Sequence, residues 1–143
     1  MGKRLIRSNE GATMVELVIV LQILLIVLFA IGELSIALYD KAVLTNASRE
    51  GARAGIVSPP RVTDGVIKKV IKDYAASHLI TFGSDTLDDG DITITPADRN
   101  TLLFGSDLQV SVNYNYDFLV LSRLVSALVG PITLNATTVM KLE

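Results

Sequence analysis

Residue types capable of chemistry are few and scattered in this chain. His78 is the sole histidine and there is no cysteine. That excludes a disulfide framework, thiolate zinc sites, cysteine nucleophiles and a lipid-modified cysteine anchor, and it leaves histidine triads and histidine-metal sites almost nothing to work with. Four aspartates, Asp85, Asp88, Asp89 and Asp91, crowd into the segment GSDTLDDGD. Calcium takes about six to eight oxygen ligands, and four carboxylates in a loop would begin such a shell. The spacing fails an EF-hand, however, because Asp85 as first ligand puts Leu87 at the third position and Pro96 at the twelfth. A solvated turn is the favoured reading, with calcium the lesser one. Arg49, Glu50 and Arg53 place charges three and four apart, which suits either a solvated helix face or a partner-binding arginine patch. Glu16 stands at the mouth of a long apolar run, where burial of a carboxylate costs on the order of a few kcal/mol. No catalytic constellation emerges, so no enzyme activity, metal or cofactor is expected.

The surrounding composition explains what these residues must live in. Of 143 residues half are hydrophobic and only 20% charged, and 13 basic against 15 acidic side chains leave a net charge of −2. Such a balance offers no broad cationic surface for nucleic acid. The apolar excess is concentrated: Leu17 to Gly32 reads LVIVLQILLIVLFAIG, with Gln22 its only polar side chain, and weaker apolar sequence extends it to Ala12 and Tyr39. As a helix that longer stretch measures about 42 Å, enough to cross a hydrocarbon core of about 30 Å. Lys3, Arg4 and Arg7 precede the span, so the positive-inside bias puts the N-terminus in the cytoplasm and the rest outside. A buried soluble helix is the poorer reading, because about a hundred remaining residues could hardly wrap a helix apolar all round. A cleaved secretory signal ending near Ala30-Ile31-Gly32 is the nearer rival, but an ordinary leader gains nothing from Glu16.

Beyond the span the sequence reads as a small head. Asp40 to Ala54 keeps good helix formers and no proline, so residues 12–54 are expected to form one helix of about 65 Å, ended by Ser58-Pro59-Pro60. After Thr63, an expected N-cap, Val66, Ile67, Val70, Ile71, Tyr74 and Leu79 recur at helical spacing opposite Lys68, Lys69, Lys72 and Asp73. His78, near the end of that amphipathic helix, is expected to cap or pack rather than to ligate. Ile92 and Ile94 alternate with threonines up to Pro96, and Leu108, Val110, Val112, Tyr114 and Tyr116 alternate with polar residues in period two. These are strands with one buried face. Phe118 to Val129 is apolar but interrupted by Ser122, Arg123 and Ser126. It suits a short helix or tucked loop, or else a hydrophobic flap that docks another subunit. Gly130-Pro131 turns the chain into a last strand, Ile132 to Met140. Two helices and about three antiparallel strands make an α+β fold.

The motif Gly11-Ala12-Thr13-Met14-Val15-Glu16, behind a short basic leader, resembles the type IV prepilin cleavage signal. The resemblance implies a cut between Gly11 and Ala12 by a prepilin peptidase. Glycine lets the chain lie extended in a protease cleft. The freed Ala12 ammonium and the Glu16 carboxylate would then meet on one helical face or between adjacent subunits, and their pairing would set axial stagger. From Gly11 to Val57 the sequence, including Glu33 and the block Thr45-Asn46-Ala47-Ser48-Arg49-Glu50-Gly51-Ala52-Arg53, resembles the TadE family of pseudopilins of the tight-adherence (Flp) pilus system, and the resemblance continues faintly to the end through VSVNYNYDFLVLSRLV and ITLNATTVMKLE, so that it covers most of the mature chain. Gln22 stands where many members carry proline, so the helix is expected to be straight and Gln22 to need a hydrogen-bond partner in the membrane.

The resemblance implies a pilin-like plan: a leader (1–11), a membrane and stalk helix (12–54) and a periplasmic head (55–143). It further implies a single-pass inner-membrane protein that initiates, primes or caps a pilus. Its implied partners are the prepilin peptidase, the major Flp pilin, other pseudopilins, the inner-membrane assembly platform with its ATPase, and membrane lipid. A single-pass sensor or binding module and a secreted protein with a removable signal are the alternatives. Each leaves Glu16 unexplained.

Overall fold

Helix formers without proline run from Glu10 to Gly55, and in a computed structural model that describes residues 10–57, 60–81, 86–97, 103–119 and 132–142 they form one unbroken helix, α1 (Glu10–Gly55). It spans 46 residues, or about 69 Å. The helix begins two residues before the expected Ala12 and closes one after Ala54, a difference of the size usual at frayed ends. The remaining elements are α2 (Asp64–His78), a 3₁₀ turn (Asp89–Asp91), β1 (Ile92–Thr95), β2 (Asp107–Tyr116) and β3 (Ile132–Lys141). The three strands form an antiparallel meander in the order β1-β2-β3.

Two halves of α1 have opposite fates. Up to Gly32 nearly every side chain is exposed, whereas from Glu33 onward one face turns inward through Ala37, Asp40, Leu44, Ala47, Ser48, Gly51, Ala52 and Gly55. The spacing of three and four is that of a helix with a single buried stripe, and its small residues let other elements approach the backbone closely. A Cβ at Gly51 would sit 2.6 Å from Ile71 Cδ1, and one at Gly55 would sit 2.6 Å from Leu108 Cδ2 and 2.8 Å from Ile67 Cδ1. Thus α2 and the sheet both reach the upper half of α1.

The period-two pattern of β2 holds: Leu108, Val110, Val112, Tyr114 and Tyr116 are buried and the residues between them face outward. Outside, Ser111 bonds Thr137 (2.9 Å) and Asn135 Nδ2 donates to Asn113 (2.6 Å), forming a polar ladder across β2 and β3. Ser48 and Thr138 hydroxyls meet at 2.7 Å between α1 and β3. Burying Leu44, Ile67, Ile71, Leu108, Val110 and Val112 contributes about 1.5–3 kcal/mol each before entropy is counted.

The α2 helix starts where expected, but the Thr63 hydroxyl makes no cap bond. Its carbonyl accepts from the N–H groups of Val66 (3.1 Å) and Ile67 (3.3 Å) instead. Leu79 is the extended C-cap rather than a helical residue, and its N–H donates to the Ala75 carbonyl. β3 continues one residue past Met140. The expected leader up to residue 9, Ser58-Pro59, Asp85, the part of the apolar 118–129 segment from residue 120, and Gly130-Pro131 lie outside the described residues.

Candidate functional site

The uncovered half of α1 is the first surface that needs an occupant. It is long and apolar enough to cross a membrane, and its most apolar window is not buried at all by the rest of the chain. A helix apolar on every side cannot leave that surface in water, so lipid or other helices must cover it. Gly11 already lies in the first turns of α1, with open space around it. An extended passage through a protease cleft would therefore require that turn to unwind, and glycine makes the unwinding cheap, by about 1 kcal/mol relative to alanine. Ala12 and Glu16 are exposed and sit four residues apart, hence on one face of the helix. Gln22, also exposed, falls midway between Ala12 and Gly32.

At the foot of the head a second arrangement appears that the sequence reading did not single out. Glu33 and Asp40, two turns apart on the inward face of α1, are both buried. Asp40 Oδ1 accepts a hydrogen bond from the Ile80 N–H at 3.0 Å, while Oδ2 is buried without a partner. Burial pushes the Asp40 carboxyl above the usual aspartate range, and the Ile80 N–H pulls it partway back. The Tyr116 hydroxyl donates a long bond (3.4 Å) to the Glu33 carbonyl oxygen, and burial, followed by the charges of Glu33 and Asp40, raises its phenol. The signal was present in the sequence. An acid at position 40 shares a helical stripe with Ala37, Leu44 and Ala47, where only apolar or small residues would be expected.

The other candidate residues do not converge. Arg49, Glu50 and Arg53 are exposed along the outer side of α1, more than two turns above Asp40. The lysine face of α2 is largely engaged: Lys69 pairs with Asp73 at 2.5 Å, Lys72 pairs with Asp89, and Lys68 donates to the Asp89 carbonyl at 2.8 Å. The Lys72 contact holds the Asp89 carboxyl below its ordinary range. Asp88 and Asp91 cap each other across the 3₁₀ turn, with the Asp88 N–H donating to Asp91 Oδ2 at 2.9 Å. Among the described residues no group of three or more acidic or histidine side chains is placed to hold a metal ion, and Asp85 lies outside them. His78 packs: its ring stacks on Tyr74 at 4.5 Å and Nδ1 lies 2.8 Å from the Tyr74 carbonyl.

No curated protein and no solved structure matches the chain. The family model described as TadE-like protein matches residues 11–53, which is the uncovered span together with the stalk that the head packs on. The likeness carried by Gly11, Glu16, Glu33 and the Thr45–Arg53 block is therefore shown over residues 11–53: in its N-terminal helix this chain is similar to the TadE-like proteins.

Proposed function

We propose that this chain is a membrane-anchored pseudopilin that a prepilin peptidase cuts between Gly11 and Ala12, and that it initiates, primes or caps a tight-adherence pilus. The observation that carries the reading is the division of α1 at Glu33. One uninterrupted helix is bare and apolar below that residue and forms the core of a folded head above it. A rod of that kind can sit in lipid and later exchange lipid for neighbouring helices without refolding the head. The protein works by association rather than turnover. Apolar helices pack side by side, the Ala12 ammonium and Glu16 fix their stagger, and the head selects partners among the major Flp pilin, sister pseudopilins and the assembly platform with its ATPase. The N-terminus faces the cytoplasm and the head the periplasm.

Mass spectrometry of the membrane-extracted protein tests the reading at its first step. A mature chain starting at Ala12 is expected. An intact Met1 start defeats processing, and a soluble product starting at Glu33 assigns residues 1–32 to a secretory signal instead.

A further inference from the structure

The head is tied to α1 in a fixed direction. Tyr116, at the end of β2, bonds the Glu33 carbonyl, whereas Leu108, at its start, lies against Gly55. β2 therefore runs down α1 toward the span, and β3, whose Ile132 is the register partner of Tyr116, begins at that same low end. The bilayer boundary falls there on two independent grounds. From Ala12 to Gly32 the helix rises about 30 Å, the thickness of a hydrocarbon core. Glu33 is also the first α1 side chain buried by the head, and polar residues such as Asn115 and Thr133, one step up the strands, could not enter hydrocarbon.

The low end of the head is apolar where a soluble domain would be polar. Leu119 is 51% exposed and Ile132 38% on the sheet side, and Leu34 (51%) and Leu38 (70%) are exposed on the opposite side of α1, within two turns of Glu33. Tyr39, also exposed, suits the headgroup level, where amphipathic aromatics collect. Phe118 is half-buried and holds the strand end in place, its ring edge-on to Tyr116 at 5.3 Å. Asp117 is an exposed carboxylate at this end, and no exposed lysine or arginine accompanies it among the described residues at that level. What the described residues offer lipid at this end is therefore apolar area rather than positive charge.

From this we infer that the underside of the head is a lipid-binding surface: Leu119 and Ile132 at the β2–β3 end, with Leu34 and Leu38 of α1, rest in the bilayer interface and hold the head down on the membrane. The inference depends on α1 spanning the bilayer. It adds that the head itself touches lipid, so that leaving the membrane requires breaking this contact as well as extracting the helix.

The absence of cysteine makes the test direct. The full chain is reconstituted into phosphatidylethanolamine vesicles with and without phosphatidylglycerol, carrying one nitroxide at Val18→Cys, Leu119→Cys or Phe104→Cys. Phe104 is 83% exposed in the turn before β2, at the far end of the head. Dissolved oxygen is expected to relax the labels at 18 and 119 more strongly than a water-soluble nickel complex does, with the reverse at 104 and no dependence on phosphatidylglycerol. Ile132→Cys repeats the measurement from β3 should Leu119→Cys misfold. Water-like behaviour at 119 and 132 with 18 in lipid overturns the inference and leaves the anchor standing. Water-like behaviour at 18 defeats the membrane reading itself. Shielding of 119 from both reagents, with spin–spin broadening, shows that a second copy covers the surface and also overturns it.

Discussion

The Asp40 carboxylate reaches across forty residues of chain to accept the Ile80 N–H at 3.0 Å, clamping the segment after α2 onto the middle of α1. Asp40→Ala leaves that N–H without its partner and is expected to cost about 1–3 kcal/mol. Asp40→Asn keeps an acceptor but removes the buried charge. Because burial raises the folded-state carboxyl above its ordinary 3.8, its favourable contribution is complete below that value and is lost as pH rises through the folded pKa. The stability of Asp40→Asn relative to wild type is therefore expected to increase as pH rises through that window. Denaturant titrations at several pH values check this, and parallel curves for the two proteins would refute it.

At Gly51 the backbone of α1 lies close against Ile71 of α2. A Cβ there overlaps Ile71, so Gly51→Ala is expected to destabilise the head by about 1–3 kcal/mol despite its better helix propensity. Adding Ile71→Val should restore part of the loss. Thermal unfolding of the single and double variants measures the coupling, and additive effects would count against direct contact.

On the proposed reading the acid acts after processing, as mate of the new ammonium, so Glu16→Ala is expected to leave cleavage after Gly11 intact and to impair pilus assembly. Immunoblotting for chain length and electron microscopy for pili read the two steps separately. Normal piliation in this variant would remove the assigned role.

Gln22 projects from the middle of the span, where lipid offers its amide no hydrogen bond. Gln22→Leu is expected to weaken helix association in vesicles by roughly 0.6–2 kcal/mol, read by energy transfer between labelled copies. Unchanged association would mean that the amide finds its partner elsewhere.

Arg49→Ala and Arg53→Ala should each change stability by less than about 0.5 kcal/mol, since both side chains are exposed. If the patch binds a partner, assembly falls while the melting curve stays put. Unaltered assembly returns these residues to the role of a solvated face.

Much of this molecule is legible without coordinates wherever a residue's environment repeats along the chain. The span from Leu17 to Gly32 declares itself because every side of that helix is apolar, and β2 does so because Leu108 through Tyr116 alternate between a wet and a dry face. α2 follows from the spacing of Ile67 and Ile71 opposite lysines. What periodicity cannot carry is which distant residues meet. The apolar stripe around Asp40 marks that acid as out of place, but only the fold brings Ile80, forty positions away, to supply its hydrogen bond. The reason Gly51 and Gly55 lack side chains lies in Ile71, Ile67 and Leu108. Likewise, the Tyr116 bond to Glu33 and the seating of Leu108 against Gly55 decide that the Ile132 end of the sheet points toward the bare apolar half of α1. Local pattern determines which face of an element is greasy; the tertiary structure decides what that face is pressed against, because packing partners are chosen by shape and by hydrogen bonds that no local repeat records.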